Sequence, residues 1–510
     1  MEVDTKKLPD NLNVCHQIIL ELLDKINNLG SEMTVLKNRL HTLLRNSYGT
    51  KSEKFDPNQL ALFAELLEDV KQAQPKEQEQ VEPKAKVQGH GRQKLPRNLP
   101  RKKIIHDLPE DEKACKCCGK ELVKIGEDKS EQLEYIPASL LILEHIRIKY
   151  ACKNCEESIT TADKPSQPIE KGLPGPGLLS HVAVSKYGDH LPLNRLENIF
   201  NRHGVKLNRS TMCGWMQAVS ELTTPLYKLM IEDVLKSYSI HTDDTPIKLR
   251  DAQLKEKSEG RFWVYRGDDE HPYTVYDYTS NRCREGPEKF LGDYAGKIHA
   301  DAYAGYDNIY ETNGAVESAC MAHVRRKFFD SQDNDQLRAE IALGFIRRLY
   351  MIEREIKGLE IEAKTNIRRQ KAKPVLAEFK KWIDEQLNDS ASPVLPKSPI
   401  GKAFTYTLNQ WDALNIYADD GRLDIDNNAA ERALRPLTVG RKNYLFIGSN
   451  RGGHTAAVIY SLIESAKRHK LNPFKYLRDI LQKLPDTKIN DLEKFLPNKW
   501  KACQEQTSQA

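Results

Sequence analysis

Two groups of residues in this 510-residue chain have types and spacings that could do chemistry. The first is a set of acids. The apolar run in "YSIHTDDTPI" leads into Asp243, and the one in "GKIHADAYAGYD" leads into Asp301. If both runs are strands of a mixed sheet, adjacent strand ends could set the two carboxylates within metal-bridging distance. A third acid stands in "RLDIDNNAAERALRP". There Asp426 reads as an N-cap whose side chain accepts a bond from an unpaired first-turn N–H. Asn427, Asn428, Ala429 and Ala430 then open a helix, and Pro436 limits it. Glu431 lies one turn in. It either forms an i,i+4 ion pair with Arg435, worth about 0.2–0.5 kcal/mol, or points inward as a ligand. Three such acids would suit two Mg²⁺ ions about 3.5–4 Å apart, serving the attacking and leaving oxygens of an in-line phosphoryl displacement. Magnesium prefers oxygen ligands and keeps waters, so three carboxylates and a substrate phosphate suffice.

The second group is sulfur. Cys115 and Cys118 form one C-x-x-C and Cys152 and Cys155 another. Two such knuckles supply four thiolates to a tetrahedral zinc ion. The 33 residues between the pairs exceed the usual structural spacing. The intervening "EQLEYIPASLLILEHIRIKYAC" reads as strands that would bring the knuckles together. Cys117 intrudes in the first knuckle, but Gly119 after Cys118 suits the knuckle turn. A redox role for either pair lacks a βαβ context.

These residues must be held by several units, because the chain is too long for one small domain. Hydrophobic residues make up 39%, enough for a core, and the net charge of +5 is mild, so polyanion binding must come from local patches. No run approaches a membrane span, and "MEVDTKKLPD" does not read as a signal peptide. Ten cysteines, four of them in close pairs, argue for reduced thiols in the cytoplasm, some of them on metal.

Along the chain, Ile19, Leu22, Ile26, Leu29, Met33, Leu36, Leu40 and Leu43 recur at alternating steps of three and four. This a/d seam predicts a self-pairing coiled coil, or else one amphipathic helix packed on its own domain. A linker over 71–106 ends in a basic arm containing Arg92, Lys94, Arg97 and Arg101, which suits phosphate backbones or serves as a solvated tether. In "LPLNRLENIFNRHGVKLNRSTMCGWMQAV" a helix, a break at Gly204 and a second helix capped by Ser210 have helix-turn-helix spacing, which plain helical domains also show. Trp215 and Trp263 read as core residues. "GRFWVYRGD" and "YTVYDYT" add two more strands. From about 330 to 415 the chain turns helical and charged, and 455–485 reads as one or two amphipathic helices. Arg325 and Arg326, beside His323 and Lys327, could meet DNA phosphates or form a solvated face. Arg441 and Lys442 follow the Glu431 helix and are better placed for phosphate. Glu464 reads as surface.

The order of "YGTKSEKF", "CKCCGK", "YACKNC", "LPLNRLENIF", "TDDTP", "DAYAGYD", "AHVRRKF", "DNNAAERALRP", "GRKNYLFIGS" and "NPFKYLRDIL" resembles the insertion-sequence-66 family of bacterial transposases over nearly the full length. The resemblance implies a multidomain α+β protein whose catalytic core is RNase H-like and of DDE type, with Asp243, Asp301 and Glu431 as its acids. The family usually has Asp-Glu-Thr at the first acid. Here Asp244 replaces that glutamate, and the first aspartate is unchanged. The expected units are a coiled-coil region (1–70), a basic linker (71–106), a zinc module (107–160), a helix-turn-helix-like region (161–235), the catalytic domain (236–450, with a helical insertion at about 330–415) and C-terminal helices (451–510). The implied activity is Mg²⁺- or Mn²⁺-dependent cleavage at DNA 3′ ends and strand transfer. The implied partners are terminal inverted repeats, target DNA, a second copy of the chain and small proteins encoded beside it, all in the bacterial cytoplasm at the nucleoid. The competing expectation is a catalytically inactive DNA-binding regulator of transposition, against which the three intact acids weigh.

Overall fold

The computed structural model describes residues 172–250, 258–390 and 392–500 continuously, with shorter pieces between 140 and 170. The heptad seam at 19–43, the basic arm with Arg92, Lys94, Arg97 and Arg101, and Cys115, Cys118, Cys152 and Cys155 lie outside the described residues. All the elements below belong to the compact unit that contains Arg147–Ala510.

Two short strands, β1 (Lys149–Ala151) and β2 (Ile159–Thr161), pair antiparallel and bracket the second cysteine pair in sequence. Three helices follow: α1 (Pro176–Ala183), α2 (Leu193–Arg202) and α3 (Arg209–Val234). The break between α2 and α3 falls at Gly204, whose φ of 79° is left-handed and costs glycine little. The second helix begins one residue before the expected Ser210 cap, with Asn208 at the cap position, and runs 26 residues through Pro225.

The central sheet has five strands: β3 (Ser239–Leu249), β4 (Ser258–Arg266), β5 (Thr274–Thr279), β6 (Lys297–Ala300) and β7 (Val316–Ala319), in the order β5-β4-β3-β6-β7. The pairs β3–β4 and β4–β5 are antiparallel, while β3–β6 and β6–β7 are parallel. Parallel neighbours need crossover connections, and α4 (Glu285–Leu291) and α5 (Asp307–Asn313) lie in these. On β4, Phe262, Trp263, Val264 and Tyr265 are buried in succession, so both faces of the sheet are covered.

Helix α6 (Met321–Phe329) opens a helical segment that continues through α7 (Gln336–Glu355), α8 (Ile361–Ile367), α9 (Lys373–Asn388), α10 (Pro399–Asn409) and α11 (Trp411–Asn415). This segment has its own hydrophobic core, running from Ala319 to Ile425 and so extending about ten residues beyond the expected insertion at each end. The chain then returns to the sheet through α12 (Asn428–Tyr444), and it closes with α13 (Asn450–Arg468) and α14 (Pro473–Lys483).

The larger core takes residues from α1–α3, the sheet, α12, α13 and α14 together, so packing does not stop at the expected boundaries 235 and 450. Trp215 and Trp263 lie in it. Helix α13 packs on β5 and α3 and is buried at every position from Thr455 to Ile463, a sandwiched helix rather than an amphipathic one. Pro436 lies inside α12 instead of limiting it. A proline within a helix costs about 3 kcal/mol. Leu434, Leu437 and Gly440, buried on either side of it, carry the helix through.

Candidate functional site

The β3–β6 ladder fixes the first two acids. Its last pairs are Ile240 with Ile298 and His241 with His299. Two residues further on stand Asp243 and Asp301: Asp301 is one residue past the end of β6, whereas Asp243 lies inside β3, which runs on to Leu249 paired with β4 and so does not end at the acid as its sequence suggests. One ligand oxygen each from Asp243, Asp301 and Asp244 lie within 4.8 Å of one another. Immediately after Asp301 the backbone turns through Ala302 with a φ of 60°, a left-handed conformation that an alanine adopts only under strain.

His241 and His299 stack beneath the acids with ring centroids 4.3 Å apart and planes 4° from parallel. Both nitrogens of His299 are buried without a hydrogen-bond partner, and burial drives its pKa well below the usual value, so the ring is neutral. Asp243 therefore sits above an uncharged aromatic floor. Burial raises its carboxyl to a pKa of about 7. The Asp244 N–H, which donates to Asp243 Oδ1 at 2.7 Å, opposes that shift, while the charges of Asp301, Asp244 and Glu431 reinforce it.

Asp244 faces a different environment. Arg261 Nη1 donates to its Oδ2 at 2.8 Å, and Arg282 donates to its Oδ1 from Nη2 at 2.8 Å and from Nε at 3.1 Å. Its side chain is 3% exposed, against 26% for Asp301. Three N–H bonds from two guanidiniums thus engage both oxygens of this carboxylate.

The third acid comes from α12. Its N-cap is Asn427, one residue after the expected Asp426. Asp426 does accept a first-turn N–H, from Asn428 at 3.0 Å, and it also accepts from Asn428 Nδ2 and the Tyr350 hydroxyl. Asn427 is completely buried and joins three elements. Its Nδ2 donates to the Thr242 carbonyl at 2.7 Å, its Oδ1 accepts from His241 Nδ1 at 3.0 Å, and its backbone N–H donates to Cys320 Sγ at 3.1 Å. Strand β3, the start of α6 and the start of α12 are thus locked at one residue.

Glu431, one turn on, lies near enough for its charge to act on Asp243, yet stands outside the close group of three aspartates. Its neighbours are His323, whose Nε2 is 3.7 Å from Oε1, and the cation Arg326, whose Nη2 is 3.5 Å from Oε2. Both come from α6; among the described ion pairs of Glu431 none is with Arg435. Glu431 Oε1 and His323 Nδ1 are buried without a hydrogen-bond partner. Burial lowers the His323 pKa, against the pull of Glu431 and Asp301.

The other expected residues divide. Arg326 reaches the site. Arg325 stacks on Phe329 at 5.9 Å. The Arg441 guanidinium donates to Thr245 Oγ1 at 2.7 Å and to the Pro246 carbonyl at 2.6 Å, tying α12 to β3, while Lys442 is exposed. Glu464 is 15% exposed and paired with Lys467, more enclosed than a surface residue. Arg261, Arg282, Asn427 and the two histidines were not singled out by their residue types. One signal did exist: Ile240–Asp243 and Ile298–Asp301 both read Ile-His-x-Asp, the repeat expected of two strands in register.

The site fits a divalent cation. Two carboxylates converge, a third carries an unpartnered buried oxygen, and burial with the neighbouring carboxylates holds the pKa of Asp243 up. Among the described residues, no helix is long and apolar enough to cross a membrane.

Comparisons with known proteins agree with one another. Residues 171–455, which contain all three acids, match the family described as "Transposase IS66 family". Residues 112–156, which contain all four cysteines of the two pairs, match "zinc-finger binding domain of transposase IS66". Residues 461–498 match "IS66 C-terminal element", and 35–104 match "Transposase C of IS166 homeodomain". Among curated proteins, the uncharacterized protein y4jD of Sinorhizobium fredii is 31% identical over 99% of both chains. The uncharacterized protein y4hP of the same organism is 32% identical over 80% of this chain and 77% of its own.

Proposed function

Since this chain belongs to the IS66 family of transposases, we propose that it cuts and joins DNA with Asp243, Asp301 and Glu431 as the acids of an RNase H-like DDE core. The observation that carries this reading is that Asp243, within β3, and Asp301, just past the end of the parallel strand β6, bring carboxylate oxygens within 4.8 Å of each other, with the Glu431 helix anchored to β3 by Asn427. The strand order, with two antiparallel pairs on one side of β3 and two parallel pairs on the other, supports the RNase H-like assignment. Asp243, Asp301 and Glu431 would hold Mg²⁺ or Mn²⁺, which when bound supplies an activated attacking oxygen and a stabilised leaving oxygen. To hold a cation, Asp243 gives up the proton that its buried position favours, and Glu431 exchanges His323 and Arg326 for the ion. Water attacks the phosphorus at the element end and the 3′ oxygen leaves; the freed 3′-OH then attacks a target phosphodiester, whose own 3′ oxygen leaves as the new P–O bond forms. No covalent enzyme intermediate forms.

The remaining units follow from this reading. Cys115, Cys118, Cys152 and Cys155 hold zinc. That module, the basic arm with Arg92, Lys94, Arg97 and Arg101, and the α2–α3 pair bind the terminal inverted repeats. The N-terminal heptads pair two copies. Arg325, Arg326, Arg441 and Lys442 were the expected phosphate contacts near the core; with Arg441 committed to β3, Lys442 and Arg326 are the better placed.

The test is cleavage and joining of a labelled duplex bearing the element's ends with Mn²⁺, in the presence of the small proteins encoded beside the gene, comparing wild type with Glu431→Gln. Wild-type cutting with a variant that binds DNA but does not cut supports the reading. Equal cutting by both removes Glu431 from the site.

A further inference from the structure

Asp244 has the position of a metal ligand but the partners of a structural residue. It lies in the close group with Asp243 and Asp301, yet both its oxygens are taken by Arg261 and Arg282. Arg282 also reaches Asp301, so it bridges two acids of the group, and of the two arginines it is the one open to an incoming ligand: its side chain is 39% exposed and that of Arg261 only 20%.

Arg282 is also fixed in orientation. Its guanidinium carbon lies 4.3 Å from the centre of the Tyr303 ring, and the Tyr303 hydroxyl donates to its backbone carbonyl. Its Nε and Nη2 are turned to Asp244, and Nη2 is also 3.7 Å from Asp301 Oδ2. Nη1 makes no hydrogen bond to any described residue. A planar guanidinium stacked on a ring, with two nitrogens occupied and a third open beside an anion-handling site, is prearranged to meet a phosphate oxygen.

We propose that Arg282 binds a non-bridging oxygen of the DNA phosphate at the site and that Asp244 is its positioning residue, not a metal ligand. This rests on the reading of the site as a DNA-cutting centre.

Metal and DNA are measured separately on the full-length protein. Mn²⁺ affinity without DNA is taken by calorimetry. DNA affinity is taken by fluorescence anisotropy on a labelled element-end duplex in Ca²⁺, which suppresses cutting, and cleavage is then followed in Mn²⁺. Arg282→Ala is expected to bind Mn²⁺ at least as tightly as wild type does, to bind the duplex more weakly, and to cut about 10²-fold more slowly, the cost of losing one donor to a developing charge. Arg282→Lys should recover part of the loss. Asp244→Asn should keep wild-type Mn²⁺ affinity and copy Arg282→Ala in cutting, while Asp244→Glu should restore cutting and guards against a folding defect. Loss of Mn²⁺ binding in Asp244→Asn, to the degree seen in Asp243→Asn, would make Asp244 a ligand and overturn the proposal. So would wild-type DNA affinity and cutting in Arg282→Ala. If wild type does not cut, the DNA-cutting reading falls on its own, and if Asp243→Asn cuts as wild type does, Asp243 leaves the catalytic set; in either case the anisotropy in Ca²⁺ still decides whether Arg282 meets phosphate.

Discussion

The sheet and the helical insertion hold the site by different means. Asp243 and Asp301 are placed by backbone: once β3 and β6 pair in parallel at His241 and His299, the two acids follow two residues later, within β3 and just past the end of β6. Glu431 is placed by side chains. It arrives after a segment with a core of its own, and the apolar packing of α12 on β3 and β4 together with the buried contacts of Asn427 brings it back to the sheet. Within the insertion the corresponding polar knot is Arg368, 3% exposed: it bonds Glu353 through Nε and Nη2 and donates from Nη1 to the carbonyls of Tyr417, Asp420 and Leu423. A ladder repeats its bond at every residue and survives the loss of any one. A polar knot does not, because each orphaned buried group costs its full desolvation.

The contrast can be tested by breaking each side. The largest effect is expected at the proposed ligands: Asp243→Asn or Asp301→Asn should reduce DNA cutting by about 10³-fold or more with the fold intact, since several kcal/mol of charge stabilisation would go with the metal. Circular dichroism beside the cleavage assay checks both halves. Next comes Arg368→Met, which strands Glu353 and three carbonyls. Removing one partner of a buried pair costs about 3–5 kcal/mol, visible as a lower denaturant midpoint with the insertion unfolding first in hydrogen exchange. Asn427→Ala should cost about 2–3 kcal/mol and reduce cutting without changing the β3–β6 exchange protection. Equal loss of protection on β3 and around Glu431 would show that the two regions are held alike.

The pH dependence is a smaller effect. The raised Asp243 pKa means that its proton is retained up to about pH 7, and a cation binds only the ionised form. Mn²⁺ affinity should therefore fall by about tenfold between pH 8 and pH 6. Without metal, the native state holds this proton more tightly than the unfolded chain does. The stability contributed by the group is thus present at low pH and lost as pH rises through about 7, and Asp243→Asn should remove that trend in thermal unfolding. Smallest is Arg326→Ala. Its pair with Glu431 is half exposed, so releasing it should tighten Mn²⁺ binding by less than about fivefold in calorimetry.

How far the sequence disclosed this architecture depended on the kind of holding. Strands β3 to β6 were legible because their apolar runs are continuous or alternate. β7 was not, because Val316–Ala319 has only four residues and carries Glu317 and Ser318. The insertion was visible as a helical, charged stretch, but its boundaries at Ala319 and Ile425 were set by packing that no local pattern announces. Asp243 and Asp301 could be paired from their strand runs alone, since register is periodic, although β3 runs on past its acid. Glu431 needed the family resemblance, because its neighbours His323 and Arg326 lie about a hundred residues away in sequence. The clamp on Asp244 was invisible for the same reason: Arg282 sits in a loop, and no spacing rule joins a loop arginine to a strand acid.

Ala302 has a consequence for how this protein could change. Its left-handed backbone costs on the order of 1 kcal/mol that glycine would not spend. Glycine at 302 would therefore be the more durable choice for folding, but it would also free the hinge that aims Asp301 at its partner. An alanine here trades heat resistance for aim, so a screen for thermostable variants should recover glycine at 302 repeatedly, in molecules that last longer and turn over more slowly.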